Sequence, residues 1–258
     1  MNEFIAHIIL EIVQGLSEWL PISSSGHLVL FSHLLGLENS MQFDVAVHFG
    51  TLMAVFVYFG RDICDIFEAI LKGKWKSEKA VLGWMVALGT IPAAIIGLLF
   101  KSYFEAAFES LWMVGIGFFI TAMVLFIASF DMRGFKEMPG WKGALFIGLC
   151  QAIAILPGVS RSGSTLASGL ASKLSMKSAL RFSFLLAIPA VFGASILELG
   201  SSQLPSELIL PTFVSFLVGL LTIHLMFNYL LTTAKSLKWF ALYELIIAII
   251  TLLYAWIS

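Results

Sequence analysis

Cysteine is almost missing from this chain. Cys64 and Cys150 stand far apart, so they can build neither a disulfide framework nor a metal-ligand spacing. Charge is scarce too: 12% of the 258 residues are Asp, Glu, Lys or Arg, against about 25% in ordinary soluble domains. That excludes a water-facing surface over most of the molecule. The net charge is −1 and no basic tract or basic–aromatic patch occurs, so a nucleic-acid partner is not expected. The opening MNEFIAHIIL lacks the positive segment and small-residue cleavage site of a secretory leader, so residue 1 is expected in the mature protein.

What fills the chain instead is hydrocarbon: 59% of residues are hydrophobic and the mean hydropathy is +0.96. About 20 apolar residues cross a bilayer core, and six stretches reach that length: 43–60, 81–100, 110–130, 182–200, 208–232 and 239–257. Two further apolar regions, 4–36 and 141–172, are broken in the middle by LPISSSGH and LPGVSRSGST. Irregular backbone at membrane depth is tolerated only when buried in protein or lining a wet cavity. Each region is therefore expected to form a re-entrant hairpin of two half-length helices.

Thirteen of the fifteen basic residues fall in four loops, 61–80, 131–142, 173–181 and 233–238. The positive-inside rule makes all four cytoplasmic. The chain can satisfy this only if both hairpins return to the side they entered from, the first from outside and the second from the cytoplasm. A shift of 137 also superposes Gln14 on Gln151, Ser23 on Ser160, Ser25 on Ser162 and Gly26 on Gly163. The expected fold is thus an all-α integral membrane protein with an inverted-topology repeat. Each half, 1–130 and 141–258, is a re-entrant hairpin plus three spans, and such repeats build their site where the broken helices meet.

Polar groups in hydrocarbon need partners and mark function. Glu11, Gln14 and Glu18 share one helix face by their spacing, as a packing seam or as the wall of a cavity. Ser23, Ser24, Ser25, Gly26 and His27 follow at the break, and Ser160, Arg161, Ser162, Gly163, Ser164 and Thr165 occupy the second break. Arg161 needs an anion, either an acid such as Glu18 or a phosphate, which its planar fork suits. Free N–H groups at the two half-helix starts would add donors. Asp44 and His48 read as interfacial polar residues or as supports behind the site. His224 and Asn228 read as an interhelical hydrogen bond.

QGLSEWLPISSSGH and PGVSRSGST resemble the two signatures of the undecaprenyl-diphosphate phosphatase family of the bacitracin-resistance type, and the similarity runs essentially end to end. The resemblance implies hydrolysis of a polyprenyl diphosphate to its monophosphate at the outer face of a bacterial inner membrane. Membrane lipids surround such a protein, and a second copy of the chain is a candidate partner. It also implies dependence on a divalent cation, Mg2+ or Ca2+. By that resemblance Glu18, the motif's second acid, binds the metal or acts as base, and the motif histidine His27 activates the nucleophile or protonates the leaving group. The motif arginine Arg161 holds the diphosphate, and Ser24 is the catalytic nucleophile, with water as the alternative. Gln14, Ser23, Ser25, Gly26, Ser160, Ser162, Gly163 and Thr165 are expected to contact the substrate. Gln14 departs from the form with two acids, and Glu244 stands where many relatives carry Arg. The rival reading is a transporter or flippase of a lipid carrier or anion on the same repeat.

Overall fold

A computed structural model describes residues 3–37, 41–130, 134–199 and 208–257, and among these the ordered elements are helices. The first broken region gives α1 (Glu3–Ser17) and α2 (Ser24–Leu35); the second gives α8 (Trp141–Ile153) and α9 (Arg161–Ala171). At 1.5 Å per residue these four are roughly 17–23 Å long, too short to cross a core of about 30 Å. Within each pair the two helices pack on one another. Serine sets both second starts: Ser23 accepts the Gly26 N–H at 3.3 Å, and Ser160 accepts the Gly163 N–H at 3.0 Å. Such side-chain caps satisfy donors that the first helical turn cannot.

Longer apolar helices surround these pairs: α5 (Glu78–Leu99), α7 (Leu111–Ser129), α10 (Met176–Leu199), α11 (Ile209–Leu225) and α12 (Leu237–Ile257). All five are long and apolar enough to cross a membrane, α11 together with a π-helical turn at Met226–Leu230. The expected span 43–60 is α3 (Met41–Tyr58), which bends by 73° into α4 (Gly60–Leu71). A short α6 (Lys101–Phe108) completes the set. Their outer faces carry Ile91, Ile95, Leu98, Phe119, Phe126, Ile249, Ile250 and Leu253, all exposed. Apolar side chains turned outward in this number suit lipid, not water.

The basic stretch 61–80, expected as a loop, begins with helix α4. Asp62 on its first turn receives Arg181 Nε at 2.9 Å, and Lys79 Nζ lies 2.9 Å from Asp65 Oδ2. These pairs tie α4 to the first turns of α5 and to α10, and α10 itself begins at Met176, six residues before the expected 182. His224 and Asn228 also differ from expectation: Asn228 Nδ2 donates to the His224 carbonyl at 2.8 Å, one turn away along the same chain and not across helices. Arg133 of the second basic loop lies outside the described residues.

Glycine brings the two broken regions together. A Cβ on Gly26 would stand 2.7 Å from the Phe118 ring and 2.8 Å from the Gly158 Cα. Gly158 itself has φ +84° and would meet the Phe118 nitrogen at 2.9 Å. Only glycine accepts both that conformation and that approach. Phe118 packs there with Leu30, Val114 and Ala248, while in the main core Trp19 packs against Phe184 with ring centroids 5.0 Å apart, beside Phe59, Leu186 and Ile223.

Candidate active site

The turn 18–23 joins α1 to α2, and the turn 154–160 joins α8 to α9. The two are stitched to each other. Ser160 Oγ donates to the Ile22 carbonyl at 3.0 Å and Ser162 Oγ to the Leu20 carbonyl at 2.6 Å. Thr121 of α7 locks the second turn from behind, donating to the Gly158 carbonyl at 3.0 Å and accepting the Ser160 N–H at 2.9 Å. Backbone groups that leave a helix inside an apolar protein must find partners there; Ser160 and Ser162 serve the first turn, and Thr121 serves the second.

Glu18 sits at the centre, 6% exposed. Arg161 Nη2 donates to its Oε1. Ser24 Oγ donates to its Oε2 at 2.5 Å, and Gln14 Nε2 donates to the same oxygen at 3.1 Å. His48 Nε2 stands 3.8 Å from Oε2, so this residue lies beside Glu18. The Arg161 guanidinium carbon lies 5.3 Å from the centre of the Trp19 ring, a cation–π arrangement. Trp19 belongs to the first signature, yet its part as a floor for Arg161 was not legible there. Arg161 Nη1 is buried and has no hydrogen-bond partner among the described residues. A buried guanidinium donor without a partner is costly, and an anionic ligand would satisfy it.

The structure thus brings Glu18, Ser24, Arg161 and Gln14 together. It does not bring His27 to them. That side chain is 2% exposed, with Nδ1 2.5 Å from the Ser23 carbonyl and Nε2 2.7 Å from the Tyr243 hydroxyl. Its edge meets the Phe118 ring at 5.0 Å. Both ring nitrogens are therefore engaged away from Glu18.

Several hydroxyls expected to cradle phosphate are also spent elsewhere. A hydroxyl has one proton to give. Ser160 and Ser162 give theirs to the first turn, and Thr165 gives its own to the Arg161 carbonyl at 2.8 Å, beside Ser183 at 2.6 Å. Ser23 caps α2, and its oxygen lies 3.2 Å from that of Ser25. What Gly26 and Gly163 contribute is close packing and a capped N–H. Besides Arg161 Nη1, main-chain donors remain for an anion: Ser24 and Ser25 start α2, and Arg161 and Ser162 start α9, with no intrahelical partner for these N–H groups.

Whether these residues suit a divalent cation can be tested on the donors. Among the described residues no group of three or more His, Cys, Asp or Glu stands close enough to hold a metal. A cage made by protein alone does not fit. Gln14 Oε1, however, is buried beside Glu18 without a partner among the described residues. One carboxylate and one amide oxygen fit a cation that is shared with phosphate oxygens, the usual way Mg2+ is held.

An apolar cavity of about 490 Å³ lies between α1, α2 and α12, lined by Val13, Leu16, Leu20, Phe31 and Phe240, with His27 and Tyr243 in its wall.

Comparison with known proteins gives the family. The family model described as Bacitracin resistance protein BacA matches residues 7–250. A protein of Methanosphaera stadtmanae named undecaprenyl-diphosphatase is 39% identical, with 98% of each chain covered. Proteins of the same name from Thermosipho africanus and Chlorobium phaeovibrioides are each 41% identical, covering 95% of this chain and 97% and 95% of theirs. With both signatures folded into one junction and the match running nearly end to end, this chain belongs to the BacA bacitracin resistance family.

Proposed function

We propose that this protein hydrolyses undecaprenyl diphosphate to the monophosphate and inorganic phosphate, the activity its relatives are named for. The observation that carries the reading is Glu18 between Arg161 and Ser24. One carboxylate oxygen is held by a cation while the other accepts the proton of a hydroxyl at 2.5 Å, the arrangement of a base beside its nucleophile. Ser24, or a water in its place, attacks the terminal phosphorus, and its proton passes to Glu18. The bond from that phosphorus to the bridging oxygen breaks, and the lipid monophosphate departs. If Ser24 attacks, water then releases the phosphate. Arg161 Nη1 and the free N–H groups of α2 and α9 hold the phosphate oxygens. Glu18 and Gln14 Oε1 would hold a divalent cation, Mg2+ or Ca2+, which neutralises charge on those oxygens when bound.

The site is proposed to face the outside of the cell membrane, within an inverted repeat. Support for the repeat lies in matched packing. α1 packs on α11 as α8 packs on α5, and α3 on α11 as α10 on α5. The pairs α3–α10 and α7–α12 each join equivalent helices, and Ser23 and Ser160 cap alike. The reading is tested by phosphate release from a prenyl diphosphate with purified protein, with and without a chelator. Release that stops in the chelator is expected. No release, together with movement of the intact lipid across vesicles, would establish the transporter instead.

A further inference from the structure

Two consecutive residues of α12 reach the first turn and the start of α2 from far along the chain. Glu244, fully buried, accepts the Ser23 N–H on Oε1 at 3.2 Å. Tyr243 places its hydroxyl 2.7 Å from His27 Nε2, with the two rings nearly parallel at 4° and 5.7 Å apart. The other ring nitrogen, Nδ1, lies 2.5 Å from the Ser23 carbonyl. A carbonyl oxygen only accepts, so Nδ1 carries a proton. In the neutral ring Nε2 then accepts, and the Tyr243 hydroxyl donates.

A peptide group is planar, so a partner on one edge of the plane fixes the other edge. The plane joining Ile22 to Ser23 is held at its carbonyl by Ser160 Oγ at 3.0 Å and at its N–H by Glu244. The plane joining Ser23 to Ser24 is held at its carbonyl by His27, which Tyr243 braces. Both planes lead directly into Ser24, whose hydroxyl donates to Glu18 at 2.5 Å. We infer that Tyr243 and Glu244 are positioning residues for phosphoryl transfer, fixing the two peptide planes that hold the Ser24 hydroxyl against Glu18. The inference rests on the phosphatase reading given above. In it His27 transmits position from α12 and handles no proton of the reaction.

A misplacement of about 1 Å at a reacting group costs roughly 10²-fold in rate, and that sets the expected scale. Glu244→Met keeps the volume and removes the acceptor, Glu244→Gln keeps a carbonyl oxygen for the Ser23 N–H, and Tyr243→Phe deletes one hydroxyl. For phosphate release from a prenyl diphosphate, kcat should fall about 10–10²-fold in the Met and Phe variants, with KM within about threefold. The Gln variant should keep kcat within about threefold of wild type. In a Ser24→Ala background the Met and Phe changes should cost clearly less, because the group they place has gone. A contribution to stability alone would act equally in both backgrounds. Melting temperature is measured alongside, and if Glu244→Met melts too low to assay, Tyr243→Phe decides. Wild-type kcat in Tyr243→Phe, a Gln variant as impaired as Met, or full additivity with Ser24→Ala overturns the inference. A wild-type protein that releases no phosphate overturns the phosphatase reading instead.

Discussion

Arg161 holds two jobs that substitution can separate. One nitrogen of its fork pairs with Glu18, and the other is buried and unpartnered. Breaking a buried pair from one side costs about 3–5 kcal/mol. Here Glu18 would keep Ser24 at 2.5 Å and Gln14 at 3.1 Å, so Arg161→Ala belongs at the low end, near 3 kcal/mol. For a chain of this size each kcal/mol moves the melting point by about 2–4 °C, which gives a fall of roughly 6–12 °C. Arg161→Lys keeps a cation beside Glu18, so its melting point in detergent should stay within about 3 °C of wild type. It loses the second nitrogen of the planar fork. A hydrogen bond to a charged group contributes about 1.5–3 kcal/mol, so kcat/KM for phosphate release should fall about 10–10²-fold. Thermal-shift and phosphate-release measurements on the same preparations provide both numbers. Lysine at wild-type kcat/KM would refute the argument that the free nitrogen holds substrate.

Three other outcomes are expected. Glu18→Gln should fold while turnover falls by about 10²-fold or more, and Gln14→Ala should lose less, because an amide is no base; equal losses in a phosphate-release assay would count against the assignment. Gly26→Ala pushes a methyl to 2.7 Å from the Phe118 ring and 2.8 Å from the Gly158 Cα, so a stability loss of about 1–3 kcal/mol should appear in thermal melts. With Cys64 and Cys150 replaced, a cysteine introduced at Lys76 should resist labelling from outside intact cells, and ready labelling there would reverse the proposed orientation.

Much of the helix plan was legible because hydropathy and breakers act locally. The interruptions LPISSSGH and LPGVSRSGST end α1 and α8 and start α2 and α9, as serine caps and proline require. α4 was not legible. Its charges, with Lys72, Lys74, Lys76 and Lys79 just beyond, mark the stretch as loop, whereas Ile63, Ile66 and Ile70 give one apolar face of a helix that the Asp62–Arg181 pair pins down. Glu18, Ser24 and Arg161 could be chosen from their motifs. Which hydroxyls would remain free could not, since Ser160 and Ser162 are spent on carbonyls some 140 positions away. Tyr243 and Glu244 carry no local signal either, because their role exists only once α12 lies against α2.

The stitching of the two turns has a consequence for how the protein is made. Ser160 is 138 residues downstream of the Ile22 carbonyl it bonds. At synthesis rates of about 5–20 residues per second, the first hairpin waits roughly 7–28 s on the ribosome before its donor exists. Through that interval only water or a helper protein can satisfy the carbonyls of Leu20 and Ile22. Biogenesis therefore has a vulnerable window, one that closes only when the second hairpin arrives, and slowed translation between the two hairpins prolongs it.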